Sequence, residues 1–370
     1  MDYSYDEQEQ AVADLAATII DGIAGPQRPT DFDATTEPVD RVLWTELAKA
    51  GLIGIALPEE HGGSGAGFVE QCLVIEAAAR AAVPLYLVES AVAAALPICR
   101  YGTDEQRQRL VAPYAAGELF LTAAPSRVSP SSPGFHARAD GESRRIDGAT
   151  SHVPLAAEAD RVLVHVVDDR RRPGLLLVDP KGPGVTLTPH TSIDRQRRWQ
   201  VKLDDCSAPV NDVVIAPGEL TGEAAAWLDA SLTVARCVSQ LGTSDAALRM
   251  TASYVSEREQ FGRAIGTFQA VSHKVADAYI DVQGVRLTAW RAAWLLAQGT
   301  VDKEAVAIAA WWAAEAPTRV LETAMQLHGG ISVDLDFPLH RYFLAARQGG
   351  LALGGPGRTL ADLGDLVAVA

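Results

Sequence analysis

Apolar residues recur at helical spacing at the two ends of this chain and at strand spacing between them. Val12, Leu15, Ile19 and Ile20 fall mostly three and four residues apart, and Val39 to Leu52 repeats the pattern through Val42, Leu43 and Leu47. The stretch Leu57-Pro58-Glu59-Glu60-His61-Gly62-Gly63-Ser64-Gly65 interrupts it, because a proline and clustered glycines end the short apolar run. Further helices are predicted over about 68–82, 86–97 and 105–115. From Leu121 to about Ile215 the texture changes to short strand-like runs at 161–167, 174–178 and 184–187, separated by Asp-Asp, Pro-Lys-Gly and Gly-Pro turns. Long alanine-rich segments return at roughly 221–247, 249–258, 268–297 and 302–328 and are long enough to pack as a bundle. Gln348 to Arg358 carries five glycines in eleven residues and predicts a loop. Leu360 to Val369 then forms either a short final helix or an extended tail. The expectation is an α+β chain with a helical domain over 1–118, a β domain over 119–218 and a helical bundle over 219–370. No internal repeat is apparent.

Composition narrows the function. Forty-seven acidic residues against 32 basic ones give a net charge of -15, which repels nucleic acid and anionic membrane at long range. No run approaches a membrane span, and the acidic start lacks the apolar core of a signal peptide, so a cytoplasmic protein is expected. Cys72, Cys99, Cys206 and Cys237 are widely spaced without a CxxC pair, which fits buried thiols in a reducing compartment. No metal-ligand cluster stands out.

Two motifs carry the chemistry. Arg258-Glu259-Gln260-Phe261-Gly262-Arg263 precedes Phe268-Gln269-Ala270-Val271, and Gln326-Leu327-His328-Gly329-Gly330 follows in the next long helix but one. Arg258 offers a fork of donors suited to a pyrophosphate, Gly262 permits a left-handed turn at a helix end, and Phe261 can cover an apolar surface. Gln269 can bond a neutral polar group, and Gly329 and Gly330 leave backbone open to an approaching ligand. Taken alone, these features equally describe an interhelical turn and an ordinary glycine stop.

The pattern Arg-x-x-Phe-Gly, Phe-Gln-Ala and Gln-x-x-Gly-Gly resembles the flavin signature of the acyl-CoA dehydrogenase family, and the helix, sheet, bundle order resembles it over nearly all 370 residues. The resemblance implies FAD as cofactor, with Arg258, Phe261, Gln269, Gln326, Gly329 and Gly330 around its adenine dinucleotide. It implies that the Gln-x-x-Gly-Gly turn comes from a neighbouring subunit, hence at least a dimer and possibly a tetramer. The implied reaction is α,β-desaturation of an acyl-CoA thioester, with electrons passing to an electron-transfer flavoprotein.

The chain departs from that family at three places. Where many members open the middle domain with Thr-Glu-Pro-x-x-Gly-Ser-Asp, it has Leu121-Thr122-Ala123-Ala124-Pro125-Ser126-Arg127-Val128-Ser129, in which Thr122 alone can keep part of the role. The flavin-facing tryptophan and threonine of the next segment are replaced by His152 and Pro154. Both family positions for the catalytic carboxylate hold leucine, Leu353 near the C-terminus and Leu232 on the helix before Arg258, and leucine takes no proton. Asp229 is offset around that helix, Asp334 and Asp336 after the Gly-Gly turn are the nearest nonstandard candidates, and His340 and Arg341 fit a helix end or a local salt bridge.

Retained flavin motifs without a base resemble the non-base partner in mixed complexes of two acyl-CoA dehydrogenase-like chains, a type that includes actinobacterial proteins acting on sterol-derived or polyketide-like thioesters. The arginine-over-lysine usage fits a GC-rich genome. Two alternatives stand beside this reading: a homomeric flavoenzyme with a nonstandard base, and a noncatalytic subunit that keeps only the fold.

Overall fold

The computed structural model describes residues 5–24, 37–124 and 134–369, and it divides into two compact units. The first comprises Met1–Leu43, Phe68–Val83 and Thr233–Ala370, and the second Trp44–Gly67 and Pro84–Leu232.

The first unit is helical. Helix α1, Glu7–Ile23, opens with a capping box in which Asp6 and Glu9 satisfy each other's backbone N–H groups. Its buried residues are Ala16 and Ile20, while Leu15 is exposed, so the inward stripe is rotated from the one the apolar spacing predicts. Helix α2, Arg41–Lys49, starts in this unit and belongs to the second from Trp44 onward; Leu43 and Leu47 are buried and Val42 faces outward. Helix α3, Phe68–Arg80, packs on α1. The bundle follows as α4, Gly222–Glu257, which belongs to this unit from Thr233 onward; α5, Gln269–Ala297; α6, Lys303–His328; α7, Leu339–Ala352; and α8, Pro356–Val369. Helix α6 is its centre and touches α5, α7 and α8.

Two sequence expectations fail here. The predicted break between 247 and 249 is absent from the 36-residue α4, and the predicted loop over 348–358 is helical except at Leu353–Gly355. Glycines in these segments serve close packing. A Cβ on Gly242 would lie 2.4 Å from the Glu76 carbonyl oxygen, and one on Gly349 would lie 2.4 Å from Gln240 Oε1. Gln240 donates to the carbonyls of Ala313 and Ala346, so the glycine lets α7 close over a buried amide.

Ionic groups lock the same unit. Glu76 and Asp245 are 1% and 4% exposed. Asp245 accepts from Arg80 at 3.1 Å, Arg249 at 2.8 Å and Arg286 at 2.9 Å, and Glu76 accepts from Arg80 and Arg286. Burial pushes the Asp245 carboxyl upward, but the bond from Arg249 and the charges of Arg286 and Arg80 outweigh it and hold its pKa below the usual value.

The second unit is built on a mixed eight-stranded sheet in the order β6-β7-β3-β2-β4-β5-β8, with β1 pairing parallel to β4. The strands are β1 Leu121–Ala123, β2 Gly134–Asp140, β3 Ser143–Pro154, β4 Arg161–Val167, β5 Pro173–Val178, β6 Val185–Thr191, β7 Arg197–Ala208 and β8 Val213–Ile215. The three strand-like runs in the sequence fall on β4, β5 and β6. Phe135, Ile146, Val164, Leu176 and Leu203 centre the core of the sheet. Helical segments at 88–101 and 104–115 complete this unit, with π-helical turns at Val88–Ala95 and Arg107–Val111.

His165 on β4 gives the sheet an acid liability. Burial pushes its imidazole down to about 4. Between pH 6.5 and 4 the unfolded chain binds a proton that the folded one refuses, so stability falls as the pH drops through that window. The loss is on the order of 3 kcal/mol for a shift of this size. Urea midpoints measured against pH are expected to flatten over that window in a His165→Leu variant.

Candidate functional site

Helix α4 ends at Glu257, and the chain then makes a two-stranded hairpin in which β9, Glu259–Gln260, pairs with β10, Arg263–Ala264. Phe261 and Gly262 form its tip with φ of 55° and 80°. Two successive left-handed residues are what a tight two-residue hairpin turn requires. The tip therefore lies beyond the helix end, where the sequence placed it. For a bulky residue such as Phe261 this conformation is costly, and its side chain is 92% exposed. The Phe261 ring stands edge-on to Phe268 at 6.1 Å, and the Arg263 guanidinium covers Phe268 at 4.2 Å. Gln269 follows as the first residue of α5.

Helix α6 stops at Gly329, whose φ of 65° and ψ of -140° belong to a region open essentially to glycine alone. A Cβ at Gly329 or Gly330 would meet nothing within 4 Å, so the backbone of this turn faces open space. Tyr254, one turn before Arg258, stacks on His328 with ring centres 4.3 Å apart and planes 20° apart. His328 Nδ1 is 2.8 Å from the Ala324 carbonyl, and its buried Nε2 has no partner. Burial lowers the His328 pKa against the opposing effect of the Ala324 bond, which keeps the imidazole neutral for stacking. Lys274 Nζ donates to Gln326 Oε1 at 2.8 Å and ties α5 to the end of α6.

Both motifs are thereby held on one end of the first unit, and Arg258, Phe261, Gln269, Gln326, Gly329 and Gly330 are all exposed. Arg258 makes no side-chain ion pair with any described residue, which leaves its guanidinium available. Tyr254, His328 and Lys274 escaped the sequence reading. His328 lies inside the Gln-x-x-Gly-Gly motif as an apparent spacer, and only the fold brings a tyrosine onto it.

The second unit holds the positions that the resemblance turns toward a flavin ring. Thr122 is fully buried and donates its hydroxyl to the Pro154 carbonyl at 2.8 Å, so that proton is already committed. Pro125 to Ser129 lie outside the described residues. His152 has a φ of 64° at an irregularity between β3 and β7, and its ring stacks on His190 at 5.9 Å. Partial burial, then His190 and Arg198, lower its pKa.

Neither base position gains an acid from the fold. Leu353 is buried at the end of α7, and Leu232 is half-buried on α4. Asp229 is exposed, as are Asp334 and Asp336, and Asp334 accepts from the Asp336 backbone N–H at 3.1 Å. His340 binds the Phe337 carbonyl through Nδ1 at the start of α7, a helix-end role. Among the described residues no group of three His, Cys, Asp or Glu is placed to hold a metal, and no helix is long and apolar enough to cross a membrane. Cys72, Cys206 and Cys237 are buried free thiols, and Cys99 is half-buried.

Comparison with known proteins agrees with this arrangement. The model of the acyl-CoA dehydrogenase N-terminal domain matches residues 6–118, and that of the C-terminal domain matches 229–357. Acyl-CoA dehydrogenase FadE27 of Mycobacterium tuberculosis is 35% identical over 98% of both chains. The chain belongs to the acyl-CoA dehydrogenase family. Among solved structures, a chain of the Mycobacterium tuberculosis ChsE4-ChsE5 complex superposes with a TM-score of 0.94 at 35% identity, covering 100% of each chain. A chain of a variant of the Tcur3481-Tcur3483 steroid ACAD gives a TM-score of 0.89 at 37% identity and 98% coverage of each. The family's three-part fold, helical, β-sheet and helical bundle, thus accounts for the whole chain.

Proposed function

We propose that this chain is the base-lacking component of a heteromeric, FAD-dependent acyl-CoA dehydrogenase. One observation carries the reading: six exposed motif residues share one end of the first unit, while both positions for a catalytic carboxylate hold leucine.

The residues at that end fit the adenine dinucleotide of FAD. Arg258 offers an unpaired guanidinium to the pyrophosphate, and the open Gly329-Gly330 backbone admits a phosphate or ribose without steric hindrance. Phe261 gives an exposed ring held in a costly conformation, and Gln269 and Gln326 add amide donors. When bound, FAD supplies the acceptor for the hydride that leaves Cβ of the thioester. The Cα proton needs a carboxylate, and a paralogous chain carrying glutamate at the position of Leu232 or Leu353 provides it. The mixed complexes among the similar structures support such a partner. The steroid ACAD among them supports a bulky, sterol-like acyl-CoA as substrate. An electron-transfer flavoprotein then removes the electrons.

Gentle purification followed by the visible absorbance of flavin tests the assignment. Expressed alone, the chain is expected to retain far less than one FAD per chain, and co-expression with an acid-bearing paralogue is expected to restore it. A stable homo-oligomer with one FAD per chain would oppose the reading.

A further inference from the structure

Lysine is scarce in this chain, with five among its 32 basic residues. One of them stands beside the flavin motifs without belonging to either. Lys274 lies on the second turn of α5, five residues after Gln269, and its Nζ donates to Gln326 Oε1 at 2.8 Å. Gln326 in turn precedes the open Gly329-Gly330 backbone by three residues. An ammonium group carries donors only, so the amide oxygen of Gln326 must be the atom that faces it. The amide NH2 is thereby turned away from Lys274, and no described residue accepts from it. Lys274 keeps two further N–H groups and pairs with no carboxylate among the described residues. As a staple between α5 and α6 this single exposed contact contributes little, because holding a lysine side chain in one rotamer costs about what the bond returns.

We propose that Lys274 belongs to the dinucleotide site, where it fixes Gln326 as a hydrogen-bond donor and adds its charge to that of Arg258. This role rests on the reading that the two motifs hold FAD. The AMP half of FAD presents phosphate oxygens, ribose oxygens and adenine ring nitrogens, all of which accept hydrogen bonds. An amide free to turn end over end can offer such a ligand either its oxygen or its NH2. With its oxygen held by Lys274, Gln326 offers only the NH2, so the site is set for an acceptor before the ligand arrives. Charge adds to the same preference. The chain carries a net charge of -15, and Glu257 and Glu259 flank Arg258 in the sequence. A dianionic pyrophosphate meets local repulsion that one guanidinium offsets only in part, and the unpaired ammonium offsets more of it.

Fluorescence titration of the apo-heteromer with FAD, at low and high salt, tests both parts of the role. Lys274→Met is expected to weaken FAD binding roughly tenfold at low salt and to make the affinity less dependent on salt. The melting temperature of its apoprotein is expected to stay unchanged, because the contact is exposed. Lys274→Arg is expected to recover most of the affinity and the salt dependence, since it keeps both the charge and a donor. Gln326→Glu separates a ligand-binding role from a staple. Its carboxylate accepts from Lys274 more strongly than the amide does, yet has no donor to give and repels phosphate. It is expected to tie α5 to α6 at least as well while weakening FAD binding more than Lys274→Met does. Unchanged FAD affinity or an unchanged salt dependence in Lys274→Met would overturn the inference. So would FAD binding by Gln326→Glu as tight as in the unsubstituted protein. Arg258→Ala is measured alongside. If it weakens FAD binding while Lys274→Met does not, this inference fails alone; if neither does, the placing of FAD at this end of the unit fails with it.

Discussion

An Asp245→Ala variant is expected to lose about 3–5 kcal/mol of folding stability, the usual cost of removing one partner from a buried ion pair. Asp245 is the acceptor shared by Arg80, Arg249 and Arg286 from three helices, and at 4% exposure water cannot replace it. Without it, Arg80 and Arg286 must share Glu76, whose second oxygen is already buried without a partner. Arg249→Ala is expected to cost far less, because that side chain is 74% exposed and its charge is solvated without its partner. Denaturant titration of the two variants separates the cases. Similar losses would mean that the network is worth no more than a surface pair.

Arg258→Ala is expected to weaken FAD binding by the assembled heteromer roughly 10- to 150-fold, equivalent to about 1.5–3 kcal/mol for hydrogen bonds to a charged group. The melting temperature of the apoprotein is expected to stay unchanged, since Arg258 is exposed and pairs with nothing described. Arg258→Lys keeps the charge but loses the planar fork, and only partial recovery is expected. Fluorescence titration of the apo-heteromer with FAD reads both variants. Unchanged affinity in Arg258→Ala would remove this arginine from the site.

Much of this arrangement was legible in the sequence because it rests on local rules. The runs that became β4, β5 and β6 are short and branched-rich, and the alanine-rich helices announce themselves by length. The flavin motifs were legible as residue types at fixed spacing. What stayed hidden depends on contacts between segments far apart in the chain. Gly349 reads as part of a loop until Gln240 lies against it. Tyr254 and His328, 74 residues apart, acquire a common role only when α4 and α6 end side by side. The inward face of α1 differs from the one its apolar spacing predicts, because Ala16, too small to register in an apolar stripe, is buried in place of Leu15.

The most direct test of the account is anaerobic mixing with an acyl-CoA while the oxidised flavin absorbance is followed. Two samples are needed: this chain alone, supplied with saturating FAD, and this chain co-purified with an acid-bearing paralogue. Bleaching is expected in the mixed assembly and not in the single chain, because Leu232 and Leu353 cannot take the α proton. Bleaching in the chain alone would contradict it and would return attention to Asp229, Asp334 and Asp336.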